Sequence, residues 1–286
     1  MEQQTQTQDV EHTVAFQGER GAYSEQACRD YFPDFHYKPV KTFEEVFLAV
    51  ENHQARFGMI PVENSMAGVV SDSYDLLAVR HLHIVGEHYL RVRHALLAVP
   101  GTRMEDLHRV YSHPQALAQC QTFLKQHGWE RQAVYDTAGA AADLARRGTR
   151  GEAAIASALC RELYGLEILA QNIQDSRLNT TRFLVISREK GCPPDAGPCK
   201  TSLLFEVRDI PASLYKCLGG FATNGINLTR LESRPVPGAH WMYHFYLDFQ
   251  GRPDQKPVQL ALDELGFFTD NLKVLGCYAE APRPGE

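Results

Sequence analysis

The 286-residue sequence predicts an α/β protein in two parts: a longer region of strands alternating with helices, then a shorter β–α–β–β–α–β unit. Three observations predict this. Short apolar runs alternate with helical stretches from Val14 to Ser187. Residues 188–200 then carry Gly191, Pro193, Pro194, Gly197 and Pro198, a composition that marks a linker over about 189–199. Beyond it the apolar spacing changes to two strand–helix units with a strand pair between them.

In the first region, Val14-Ala15-Phe16 reads as a strand ending at Gln17, and a helix follows from about Ser24. Further strands are expected at 57–62, 82–85, 95–99, 109–111, 153–156 and 183–186, each a short apolar run. In the second region, 201–207 is a strand. The next segment, 212–223, is helical because Leu214, Cys217, Leu218 and Phe221 recur at i, i+3, i+4 and i+7. Strands at 226–231 and 241–249 flank a turn at 235–238, a second helix covers 258–267, and a last strand 272–278. That order is the split-βαβ, ferredoxin-like arrangement.

The hydrophobic fraction of 44% and charged fraction of 22% are those of an ordinary globular chain, long enough for about two domains. A net charge of −6 and a pI of 6.1 argue against a nucleic-acid partner. No apolar run approaches the roughly 18 residues of a membrane span. Residues 1–12 are polar and rich in Gln and Thr, with neither the basic start nor the apolar core of a secretory leader, and read as a disordered tail. Seven cysteines, an odd number without C-x-x-C spacing, suggest free thiols in a reducing cytoplasm. Cys192 and Cys199 read as solvated loop cysteines, and the twelve histidines show no metal-binding spacing, so no metal is expected.

One junction recurs four times: a strand ends, small polar residues follow, and a helix is expected to begin. The four are Gly18-Glu19-Arg20-Gly21-Ala22-Tyr23-Ser24, Pro61-Val62-Glu63-Asn64-Ser65-Met66-Ala67-Gly68, Ser112-His113-Pro114-Gln115 and Asp136-Thr137-Ala138-Gly139-Ala140-Ala141. Ser112 or His113 before Pro114, and Asp136 or Thr137 before an alanine-rich stretch, fit helix caps. Helix starts offer unpaired N–H donors and a positive dipole end, which suit a small dicarboxylate. On spacing alone they equally suit ordinary capped helices.

The wording of these junctions, in this order and closing on Asn179-Thr180-Thr181-Arg182-Phe183, resembles the successive motifs of the prephenate dehydratase family, monofunctional and with a C-terminal ACT domain. The resemblance covers about residues 13–279. It implies a bilobal catalytic domain like a type II periplasmic binding protein over 13–188. Lobe one would hold 13–90 and 175–188, lobe two 91–174, with the site in the cleft between them. It further implies an ACT regulatory domain over 200–280, and the conversion of prephenate to phenylpyruvate, water and CO2 without cofactor or metal.

The family's essential threonine falls on Thr181, whose hydroxyl can donate to the departing oxygen. Without the resemblance Thr181 reads as a strand or cap residue. Asn64 and Ser65 are expected to bond substrate oxygens, and Ser112 and Thr137 to hold a carboxylate from lobe two. Arg182 either pairs with a carboxylate or orients the lobes. His113 is an alternative proton donor, and Arg20 a weaker substrate contact.

In the ACT region, Gly225-Ile226-Asn227-Leu228-Thr229-Arg230-Leu231-Glu232-Ser233-Arg234-Pro235 matches the family's phenylalanine-binding stretch. Effector contacts are accordingly expected from Asn227, Leu228, Glu232, Ser233, Arg234 and Pro235, and from the turn Pro211-Ala212-Ser213-Leu214. Ala212 stands where the family has glycine, and alanine resists backbone conformations that glycine permits. Without the resemblance Glu232 and Arg234 read as a surface ion pair. Feedback inhibition by L-phenylalanine and a homodimer or homotetramer are implied. Competing readings are arogenate as the substrate, a non-catalytic solute-binding protein of the same fold, and a ligand-responsive regulator.

Overall fold

The computed structural model describes residues 10–191, 197–236, 238 and 242–282. The expected tail up to residue 9, residues 192–196 of the expected linker with Cys192, and Trp241 at the expected start of a strand lie outside the described residues.

The first sheet takes the order β2 (His36–Val40), β1 (Thr13–Gln17), β3 (Phe57–Asn64), β11 (Thr180–Ser187), β5 (His83–Arg91), with the two-residue β4 (Gly68–Val69) paired to β3. Strand β1 runs parallel to both neighbours, and Val14, Ala15 and Phe16 are fully buried, as expected of a central parallel strand. Helices α1 (Tyr23–Tyr31) and α2 (Phe43–Glu51) pack against these strands, and α3 (Ser71–Val79) follows β4. Thr42 caps α2 by accepting the Glu45 N–H.

After β5 the chain builds a second sheet in the order β10 (Glu167–Gln171), β6 (Ala95–Ala98), β9 (Glu152–Ala156), β7 (Arg109–Ser112), β8 (Glu130–Ala133). It returns to the first sheet at β11. Helices α4 (Pro114–Gln119), α5 (Gln121–His127), α6 (Thr137–Arg147) and α7 (Leu159–Tyr164) accompany it. Leu96, Val110, Leu117, Leu124, Trp129 and Ile155 share its core.

Four strands have no counterpart in the expected pattern: the two-residue β4, and β2, β8 and β10, which are edge strands. β2 carries Pro39, which cannot donate to a ladder, and β8 is exposed along its length. β10 has no fully buried residue.

The C-terminal region forms a four-stranded antiparallel sheet, β13 (Leu228–Pro235), β14 (Tyr243–Gln250), β12 (Cys199–Val207), β15 (Thr269–Ala279), with α8 (Ser213–Thr223) and α9 (Lys256–Phe267). The element order is β–α–β–β–α–β. Leu203, Phe205, Phe221, Leu247, Phe249 and Leu265 form its core. Cys199, expected in a solvated loop, opens β12 and is buried.

Among the described residues the chain divides into two compact units. One holds 10–74 and 88–183; the other holds 75–87 and 184–282.

Candidate active site

A cavity of about 410 Å³ lies within the first unit, and Asn64, Thr137 and Thr181 line it. Thr181 reaches it from β11. Strand alternation turns Thr181 and Phe183 toward the cavity and Arg182, also buried, to the other face. Arg182 is therefore not brought to the cavity.

The second junction does not start a helix, as the sequence reading expected. β3 continues to Asn64 and turns back into β4. The Asn64 Oδ1 accepts the main-chain N–H groups of Met66 and Ala67, at 3.0 and 2.9 Å, and these bonds hold the turn. With Oδ1 so occupied, the Nδ2 group faces β11. It donates to Asn179 Oδ1 at 2.8 Å and to Thr181 Oγ1 at 2.9 Å. Ser65 fastens the same turn: its hydroxyl donates to the Leu178 carbonyl and accepts the Thr180 N–H. Both of its bonding directions are thus used in the scaffold, and Ser65 does not line the cavity.

Ser112 is also drawn elsewhere. It is fully buried and donates to the Ile155 carbonyl at 2.6 Å, tying β7 to β9. The neighbouring His113 lines the cavity instead. As cap of α4 its Nδ1 accepts the Gln115 N–H, so a neutral ring carries its proton on Nε2. Thr137 opens α6 behind Asp136, whose carboxylate accepts the Gly139 N–H at 2.6 Å. Arg20 is committed to the buried Glu25, which also receives Arg29 and the Gly21 N–H.

Tyr23, His94 and Gln119 line the cavity without having been expected there, and Asn179 lies beside it. They continue the Asn64 network. Asn179 donates to Gln119 Oε1 at 2.9 Å, His94 Nε2 lies 2.8 Å from the same oxygen, and Tyr23 Oη lies 2.7 Å from His94 Nδ1. Gln119 had a legible signal, since it follows Gln115 by four residues and shares its helix face. Burial pushes the Tyr23 phenol up and the His94 imidazole down, the latter partly offset by the bond to Gln119. Behind them burial pushes the Cys120 and Cys160 thiols up to about 12, so both stay protonated.

Pro61, Val69, Val70, Val92 and Phe183 give the cavity an apolar wall. Among the described lining residues there is no Lys, Arg, Asp or Glu. The arrangement offers hydroxyl, amide and imidazole donors facing an apolar surface.

In the second unit, Pro211 precedes α8 and Ser213 and Leu214 begin it. Ala212 has φ +60°, a left-handed conformation. Asn227 donates to Gln250 Oε1, and Leu228, Glu232, Ser233, Arg234 and Pro235 lie on β13. Glu232 and Arg234 take separate partners instead of the surface pair that their spacing alone suggests. Arg234 grips Asp75 through two bonds of 3.0 Å, and Glu232 lies 3.6 Å from Arg230.

Residues 14–191 match the family model for prephenate dehydratase. The chain is 44% identical, over 95% of its length and 97% of the relative's, to a bifunctional N-acyl-homoserine lactone acylase/prephenate dehydratase of Komagataeibacter europaeus. It is likewise 44% identical, over 93% of its length and 72% of the relative's, to the chloroplastic arogenate dehydratase/prephenate dehydratase 2 of Arabidopsis thaliana. A crystal structure of prephenate dehydratase from Arthrobacter aurescens in complex with L-Phe is similar to it with a TM-score of 0.86 at 31% identity, covering 94% of this chain and 90% of that one.

Proposed function

The chain belongs to the prephenate dehydratase family and is a lyase-type enzyme; on that premise we propose that it converts prephenate to phenylpyruvate, CO2 and water, with Thr181 as the donor to the leaving oxygen. The observation that carries this reading is the direction of one hydrogen bond. Thr181 Oγ1 accepts from Asn64, so the hydroxyl's own hydrogen is left to point into the cavity.

The ring carboxylate departs as CO2, the electrons of its C–C bond enter the ring, and the hydroxyl at the opposite ring position is expelled as hydroxide, which takes a proton from solvent to become water. A hydrogen bond from Thr181 stabilises that oxygen as charge develops on it. The apolar wall suits the other end: a carboxylate set against Val69, Val70 and Phe183 sheds its charge by becoming CO2. The pyruvyl carboxylate fits the His113 Nε2–H and the N-terminal end of α6 at Thr137.

Arogenate is the second reading, because relatives carry that name as well. Its amine is a cation that would call for an anionic partner. The described lining residues include none, which favours the keto acid. The C-terminal unit is proposed as an ACT domain that binds L-phenylalanine near the start of α8 and along β13, in a homodimer or homotetramer, as feedback control. A cytoplasmic location is proposed with it; no helix among the described residues is long and apolar enough to cross a membrane.

The test is turnover of prephenate and of arogenate by the purified protein, each with and without L-phenylalanine. The proposal predicts a larger kcat/KM for prephenate, lowered by phenylalanine. A larger value for arogenate would overturn the substrate assignment. Failure of calorimetry to detect phenylalanine binding would overturn the regulatory one.

A further inference from the structure

We infer that Tyr23 and His94 form a positioning pair that turns the NH2 group of Gln119 into the active-site cavity. This deepens the proposed dehydratase reading and rests on it.

The hydrogen-bond directions propagate from a fixed end. Two main-chain N–H groups occupy Asn64 Oδ1, so its Nδ2 must face Asn179 and Thr181. Asn179 therefore accepts through Oδ1 and donates through Nδ2 to Gln119 Oε1. An oxygen that accepts from Asn179 can meet His94 Nε2 at 2.8 Å only if that nitrogen carries a proton. The neutral ring then has its lone pair on Nδ1, and the Tyr23 hydroxyl donates to it at 2.7 Å in preference to the Arg93 carbonyl at 3.1 Å. Each amide orientation and the imidazole tautomer follow from the step before.

The consequence falls on Gln119. Its carbonyl oxygen is claimed twice, by Asn179 and by His94, and both claims come from the protein side. The amide cannot rotate without placing NH2 against two donors. Its own NH2 has no partner among the described residues. Gln119 lines the active-site cavity as well as a smaller one beside Asn179, and the NH2 is assigned to the former. Elements of both sheets contribute to this, since Tyr23 and Asn179 flank the first sheet, His94 immediately precedes β6 of the second, and Gln119 ends α4.

A histidine that merely fills space would not need both ring nitrogens matched. His94 is buried, and its main chain is held as well: its N–H donates to Gln174 Oε1 and its carbonyl accepts the Ile173 N–H. The ring thus sits on a fixed backbone between two partners of opposite bonding sense. Burial acts on both members in the sense required, keeping the phenol protonated and the imidazole neutral.

The test compares His94→Asn, His94→Gln and Tyr23→Phe. Asparagine has an amide too short to reach Gln119, whereas the glutamine amide can occupy the place of Nε2 and donate to Oε1. Loss of one preorganised donor commonly costs about 100-fold or more, and misorientation of one costs less, so His94→Asn is expected to lower kcat/KM about 10- to 100-fold. His94→Gln is expected to recover to within about threefold of wild type. Tyr23→Phe removes the group that holds the tautomer and is expected to give an intermediate loss.

Nitrogen NMR on wild type near neutral pH should show a neutral His94 protonated on Nε2. Equal losses in His94→Asn and His94→Gln that track their melting temperatures would reduce the pair to packing and overturn the inference. So would wild-type rates in His94→Asn, or an Nδ1-protonated or charged ring. A folded wild type that turns over neither prephenate nor arogenate would overturn the reaction itself, and the positioning role with it. An active wild type with unaffected variants would overturn the positioning role alone.

Discussion

Replacing Asn64 by aspartate changes one atom of the amide and should reverse the bond that aims Thr181. In the wild type the Asn64 Nδ2 donates to Asn179 Oδ1 at 2.8 Å and to Thr181 Oγ1 at 2.9 Å. An aspartate oxygen in that place has no hydrogen. It would oppose Asn179 Oδ1, a buried acceptor, and would accept the hydroxyl hydrogen of Thr181. Asn179 can relieve the opposition by rotating its amide, but only by withdrawing its N–H from Gln119.

An unmatched buried acceptor costs about 1–3 kcal/mol. The two main-chain N–H bonds to the new carboxylate, now charge-assisted, return part of it. A net loss of about 1–2 kcal/mol should lower Tm by only several degrees, at about 2–4 °C per kcal/mol. Activity should suffer far more. With its hydrogen diverted, Thr181 cannot donate to the leaving oxygen, a contribution of about 10²- to 10⁴-fold. Steady-state phenylpyruvate formation, read beside a thermal melt, checks both numbers. An Asn64→Asp variant with kcat within about threefold of wild type would refute the reasoning, because the direction of the Asn64–Thr181 bond would then not matter.

Ala212→Gly should stabilise the protein by about 0.5–1 kcal/mol, measurable as a shifted denaturant midpoint. The left-handed backbone at φ +60° costs alanine about 1–2 kcal/mol, part of which glycine returns as unfolded-state entropy. Lys200→Met should cost about 3–5 kcal/mol, since it takes the cation at 2.6 Å from the fully buried Glu87 carboxylate and leaves the charge to main-chain donors such as the Ala281 N–H; the double variant with Glu87→Leu should recover most of that in the same unfolding assay. Stability should also fall as the pH drops below about 6.5. Burial lowers the imidazoles of His83, His88 and His94, so the unfolded chain takes up protons there before the folded one does. A Tm unchanged between about pH 7.5 and pH 5.5 would contradict this.

Central elements were legible because their sequences carry their burial. Val14-Ala15-Phe16 and Ala153-Ala154-Ile155-Ala156 are unbroken apolar runs and occupy interior strands. The edge strand Glu130–Ala133 shows no apolar alternation to read. At the site, residues whose bonds are local were placed well: Asp136 caps its helix, and His113 stands before Pro114. Residues whose partners are distant in sequence were not. Ser112 and Ser65 have the side chains of substrate contacts, but their hydroxyls are used by Ile155, Leu178 and Thr180. The network joining Tyr23, His94, Gln119 and Asn179 is assembled by tertiary packing and has no local signature.

The central claim is that the Thr181 hydroxyl, held by Asn64, assists departure of the ring oxygen. The most direct measurement is phenylpyruvate formation by Thr181→Val beside Thr180→Val, since valine keeps the shape of threonine and removes only the hydroxyl. A loss of at least about 100-fold is expected in Thr181→Val, with Thr180→Val close to wild type. Comparable rates for the two variants would contradict it.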